Sequence, residues 1–151
     1  VVDTRAIREG PRLKATVSRA DAIGLVPFGA PLCRLTVTGR TLERLLRQSV
    51  VTDDRATRGT GAYACWLQVA GATLHVAAGG AVERVRVDGE PIDANREYVV
   101  GTNTYVVDCD EFPAVDGRHV LAKGEDQYEA VVALFETGRV AGVPHRFVEP
   151  A

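Results

Sequence analysis

Cys33-Arg34-Leu35-Thr36-Val37-Thr38-Gly39-Arg40-Thr41-Leu42-Glu43-Arg44-Leu45-Leu46-Arg47-Gln48-Ser49-Val50 changes its hydrophobic period part-way along. Cys33, Leu35 and Val37 alternate with Arg34 and Thr36, the period of a half-buried strand. Leu42, Leu45, Leu46 and Val50 then recur at helical spacing, so the stretch predicts a strand followed at once by an amphipathic helix. Before it, Ser18 with Asp21 three residues on has the form of a capping box, which predicts a short helix that Pro27 ends. Val1 and Val2 read as the tail of a buried strand, and Arg5 to Lys14, with Gly10 and Pro11, as a loop.

After the stretch, Thr52 to Gly61 is polar, charged and glycine-rich and reads as a mobile surface loop. From Tyr63 the texture is β. Ala64 to Val69 and Thr73 to Val76 flank Ala70-Gly71, which predicts a tight hairpin. Val82, Val85 and Val87 precede the turn pair Asp88-Gly89, and Tyr98 to Asn103 supplies another strand, giving a meander of about four. Tyr128, Val131, Val132 and Phe135 mark one face of a helix that Gly138 can terminate. Phe147 and Val148 suit a last strand. The fold expected is α+β, a mixed or antiparallel sheet packed by helices, in one domain over 1–151.

The bulk properties fit one soluble core: 151 residues, 46% hydrophobic and 25% charged, at a length where about two-thirds of the unfolded surface can be buried. A net charge of -2 with interspersed signs gives no basic footprint for polymeric nucleic acid. No apolar run approaches the ~18 residues of a membrane helix, and the first residues lack a signal-peptide layout. Cys33, Cys65 and Cys109 are odd in number and widely spaced, fitting neither a zinc framework nor a disulfide scaffold. His75, His119 and His145 show no ligand spacing. Asp108, Asp110 and Glu111 read as a solvated loop, and Trp66 as a core residue.

Several short motifs occur in one order. Asp3-Thr4-Arg5-Ala6-Ile7-Arg8 resembles a degraded Asn-Gly-Gly-Gly-Ile-Arg, and Val26-Pro27-Phe28-Gly29 resembles Leu-Pro-Phe-Gly. Leu35-Thr36-Val37-Thr38-Gly39 with its leucine-rich helix resembles a strand, Thr-Gly and helix unit. Leu67-Gln68-Val69-Ala70-Gly71 resembles Leu-Gln-Val-Ser-Gly. Tyr98 to Tyr105 resembles the strand before a Gly-Gly-Asp-Gly-Phe loop, which reads Asp108-Cys109-Asp110-Glu111-Phe112 here. No motif is specific alone, but their colinear order over about Val2 to Phe135 is similar to that of 5'-nucleotidase C-terminal domains.

That resemblance implies the substrate-recognition domain of a nucleotide phosphohydrolase in nucleotide catabolism, non-catalytic by itself. It implies a separate N-terminal metallophosphoesterase domain holding two divalent metal ions, no cofactor in this chain, and a periplasmic, cell-surface or extracellular setting. By position, Phe28 and Phe112 would be the rings that sandwich a base, Arg8 the arginine for phosphate or ribose oxygens, Asp116 the ribose carboxylate, and Asp3 the residue in place of the family's asparagine. Stacking tolerates different bases, guanidinium offers a fixed fork of donors, and a carboxylate only accepts. The resemblance also implies a helix and strand before the first motif, of which only the strand's end lies here; an uncovered apolar face at Val1 and Val2 would then favour self-association.

The chain departs from the pattern where Thr4, Arg5, Ala6, Asp108, Cys109 and Glu111 replace glycines. Glycine permits positive φ and close backbone approach, so bulkier residues can close a pocket. Two alternatives therefore stand beside the first reading: a relative that keeps the fold as a binding or scaffold domain, and one acting on cyclic nucleotides or another phosphate ester.

Overall fold

The structure, a computed structural model, describes residues 2–3, 17–52, 64–109, 120–138 and 148–150. The capping box is formed as the sequence predicts. Ser18 Oγ accepts from the Asp21 backbone N–H while the Asp21 carboxylate accepts from the Ser18 N–H, opening helix α1, Arg19–Leu25. Pro27 lies just past its end.

Strand β2, Pro31–Thr38, buries Cys33, Leu35 and Val37 on one face. Thr38 then caps helix α2, Gly39–Gln48, its Oγ1 accepting from the Thr41 N–H. Two donors at the start of α2 go to a distant loop: the Gly39 N–H reaches Arg96 O at 2.8 Å and the Arg40 N–H reaches Ala94 O at 3.0 Å. Gly39 is required by this approach, because a Cβ there would lie 1.9 Å from the Asp93 carbonyl oxygen. The loop is held from its own side as well. Asp93 Oδ1 accepts from the Asn95 N–H, the Asp93 N–H donates to the Tyr98 hydroxyl, and the Arg96 guanidinium lies 5.3 Å from the Tyr98 ring centroid.

Leu42, Leu45 and Leu46 are buried as the period predicts, but Val50 is not part of that helix. Ser49, fully buried, ends it: its Oγ donates to Leu46 O at 2.6 Å and its carbonyl accepts from the Trp66 N–H. The chain then turns into β3, Val50–Val51, antiparallel to β4, Ala64–Cys65. Trp66 is half-buried against the core.

The hairpin expected about Ala70-Gly71 does not form. β5, Leu67–Gln68, pairs instead with β1, Val2–Asp3. β6, Ala72–Val76, pairs antiparallel with β7, Val82–Val87. Gly71, at φ +80°, accepts from the Asp88 N–H through its carbonyl, so it redirects the chain and braces the far end of the β6–β7 hairpin. Asp88 and Gly89 both have positive φ, 51° and 84°, the two-residue turn whose twist matches a hairpin. They join β7 to β8, Glu90–Pro91. The meander therefore has three strands rather than four, because β9, Glu97–Asn103, leaves it to pair with β2.

Among the described residues two main sheets result. One has the order β10-β2-β9, with β10 spanning Val120–Asp126; the other has β11-β6-β7-β8, with β11, Val148–Pro150, parallel to β6. The α+β class and the mixed sheet are as the sequence predicts. Helix α2 touches β2 and β9 of the first sheet and β7 of the second. One hydrophobic cluster accordingly joins Leu35, Val37 and Val100 to Leu74, Val76 and Val85 through the α2 leucines. Arg47 adds a polar tie, donating to the Val82 carbonyl and pairing with Glu43.

Helix α3, Thr104–Asp108, follows β9 directly, and α4, Gln127–Glu136, follows β10. Gly138 at φ +64° donates to Phe135 O and closes α4 as predicted. Ala22 of α1 and Val132 of α4 are buried, and these helices pack together. Among the described residues no helix is long and apolar enough to cross a membrane. The predicted loops over 5–14 and 53–61, together with Val1, Phe147, His119 and His145, lie outside the described residues.

Candidate functional site

Antiparallel registers bring three chain segments to one end of the β10-β2-β9 sheet. Leu32 lies opposite Asn103, and Pro31 opposite Asp126. The entry to β2, the exit of β9 and the exit of β10 therefore meet at one edge. The Val26-Pro27-Phe28-Gly29 segment enters there, and α3 and α4 depart from it.

Hydrogen bonds lock these segments to each other. Asn103, 1% exposed, caps α3 by accepting from the Val106 N–H at 3.0 Å and donates through Nδ2 to Gln127 Oε1 at 2.7 Å. Gln127, the first residue of α4, also donates its backbone N–H to Ala30 O at 3.2 Å. One buried amide pair thus ties the end of β9 to the start of α4, and α4 to the residue two beyond Phe28. Phe28 itself is 43% exposed. Gly29 approaches the Asp126 carboxylate, which would lie 3.5 Å from a Cβ built on that glycine.

Of the residues proposed from sequence, only Phe28 is placed with its side chain. Asp3 sits in β1 opposite Leu67. Arg8, Phe112 and Asp116 lie outside the described residues, as do Asp110 and Glu111. The polar residues that organise this edge, Asn103 and Gln127, received no role in the sequence reading. The signal for Asn103 was present in Gly101-Thr102-Asn103-Thr104, where asparagine before a short apolar run is a helix N-cap. Gln127 carried no local signal.

Two glycine replacements can be judged. Asp108 closes α3 in helical conformation and Cys109 has φ -79° and ψ 125°, so neither position demands positive φ. Cys109 is half-buried against the core cluster. The backbone there accepts these residues without strain. Among the described residues no group of three or more His, Cys, Asp or Glu is arranged to hold a metal ion.

The comparison that decides the family covers the Phe28 segment, β2 and β9 of this edge but not β10 or α4: the model of the 5'-nucleotidase C-terminal domain matches residues 2–117. The chain belongs to that family. The domain superposes on a 5'-nucleotidase precursor from Thermus thermophilus with TM-score 0.76 at 20% identity, covering 99% of this chain and 30% of that one. A putative 5'-nucleotidase from Staphylococcus aureus, solved with alpha-ketoglutarate, gives TM-score 0.63 at 17% identity, covering 89% of this chain and 30% of the other. A sulfate thiohydrolase from Thermus thermophilus, solved with glycerol, gives 0.58 at 17%, covering 91% and 26%. The domain therefore spans under a third of the length of these solved structures. No curated protein sequence matches it.

Proposed function

We propose that this 5'-nucleotidase C-terminal domain is a single substrate-recognition unit over 1–151, which holds the nucleoside part of a phosphate ester for hydrolysis by a metal-bearing domain of the same protein. The observation that carries this reading is Phe28, an exposed ring two residues before Ala30, whose carbonyl holds the start of α4, itself tied to Asn103. The ring is 43% exposed. On a base it gains about 1–3 kcal/mol by stacking.

Fold alone does not choose the ligand, since the same architecture occurs in a sulfate thiohydrolase. The aromatic edge is what favours a nucleoside. In this reading Phe28 supplies one face of a base sandwich, and Phe112, three residues on from Cys109 at the exit of α3, supplies the other. Arg8 presents its guanidinium fork to phosphate or ribose oxygens. Asp116 accepts from the ribose hydroxyls, and Asp3 accepts from the base edge. Two divalent ions in the metal-bearing domain would supply Lewis acidity and an activated water. This domain's part is binding and orientation. Work outside the cytoplasm, in the periplasm, at the cell surface or in the medium, belongs to the same proposal.

The test is a titration of the chain with guanosine and adenosine, followed by NMR. Stacking without metal-to-phosphate contacts predicts dissociation constants of the order of millimolar. Phe112→Ala should weaken both nucleosides. Asp3, as an acceptor, should favour guanosine, whose N1 and N2 donate. Shifts indifferent to Phe112→Ala reject the sandwich and leave a scaffold role; equal or reversed preference rejects only the role of Asp3.

A further inference from the structure

Asp126 occupies the N-cap of α4 in extended conformation, φ -64° and ψ 145°, the position from which an aspartate ordinarily accepts a helix N–H. Its side chain makes no such bond. The carboxylate instead lies over Gly29, with Oδ2 at 3.5 Å and Cγ at 4.0 Å from a Cβ built there, next in sequence to the exposed ring of Phe28. A Cβ at Gly29 would be in ordinary van der Waals contact with this carboxylate, so Asp126 lies close against the Phe28 segment.

A carboxylate that forgoes its helix, half-buried beside a segment bearing an exposed aromatic ring, is an acceptor facing a binding surface. We infer that Asp126 is a specificity residue for whatever stacks on Phe28, accepting from one or two O–H or N–H donors of that ligand. The inference rests on the nucleoside reading of Phe28 and adds a residue to it. A nucleoside offers such donors in two places, the ribose diol and the amino edge of the base.

The rest of this edge holds Asp126 in position without competing for it. The register of β10 with β2 sets Asp126 opposite Pro31, and the neighbouring Gln127 N–H is taken by Ala30 O. Gln127 Oε1 is taken by Asn103. The Gln127 N–H and the Asn103 Nδ2 donor are thus directed to other acceptors, and a bound ligand can bring its own donors to the carboxylate.

Asp126→Asn tests this, since asparagine keeps the shape and remains a good N-cap while replacing one acceptor oxygen with a donor. Calorimetric titration of the unaltered chain and of this variant would use adenosine, 2',3'-dideoxyadenosine, guanosine and inosine. A charge-assisted hydrogen bond lost predicts affinity falling roughly 10-fold or more for at least one donor-bearing ligand. If the diol is read, adenosine falls and dideoxyadenosine does not; if the base edge is read, guanosine falls more than inosine. Unchanged affinity for all four, with Phe28→Ala still weakening them, overturns the role of Asp126 and leaves the stacking reading standing. Failure of the unaltered chain to bind any of the four overturns both. A structural effect alone would weaken all four ligands alike and would also overturn it.

Discussion

The buried amide of Asn103 donates from Nδ2 to Oε1 of Gln127 at 2.7 Å, joining residues 24 apart in sequence. The same side chain accepts from the Val106 N–H. Asn103 thus serves a helix cap and a tertiary tie at once, both away from water.

Replacing it strands partners that cannot turn to solvent. Asn103→Ala leaves Gln127 Oε1 and the Val106 N–H unmet, at about 1–3 kcal/mol for each buried group. Urea denaturation should show a loss of roughly 2–4 kcal/mol. Asn103→Asp, which keeps the acceptor for Val106 and loses the donor for Gln127, should also destabilise.

Gly39→Ala should be among the most damaging single changes. Its methyl would meet the Asp93 carbonyl oxygen at 1.9 Å, and backbone on both sides prevents relief by a side-chain rotation. Accommodation must break the Gly39 N–H to Arg96 O or the Arg40 N–H to Ala94 O bond. Thermal unfolding should report a loss of several kcal/mol, of order 3, or no folded protein.

Thr102 gives the opposite sign. It is 5% exposed, its hydroxyl has no hydrogen-bond partner among the described residues, and the residue lines a small apolar space with Leu35, Val37, Leu45, Val100 and Val106. A buried hydroxyl without a partner costs about 1–3 kcal/mol. Thr102→Val removes the hydroxyl at nearly constant volume in a strand, where valine is well suited. The midpoint of unfolding should rise; a fall would mean that the hydroxyl is satisfied in solution.

These sites also show where sequence reading reaches. The α1 capping box, the β2 alternation, the α2 leucine stripe, the Asp88-Gly89 turn and the Gly138 stop were legible because each is a local rule with a local signal. The helical period runs on to Val50, but Ser49 ends the helix through bonds to Leu46 O and Trp66 N, and the second partner is distant in sequence. The expected Ala70-Gly71 hairpin gives way for a similar reason: both flanking segments look like strands, and nothing local says that one prefers β1 and the other β7. At the candidate site motif order singles out Phe28. It does not single out the Asn103 and Gln127 pair that fixes its platform, because a tertiary hydrogen bond leaves no periodicity.

The most direct measurement of the central claim is nucleoside binding by Phe28→Ala, taken together with its stability. The ring is 43% exposed, so its removal should cost less than the roughly 3–5 kcal/mol of a fully buried phenylalanine. Binding of adenosine and guanosine should fall by about 1–3 kcal/mol, roughly 5-fold to 150-fold. A variant of unchanged stability that binds nucleosides as well as the parent would contradict the account.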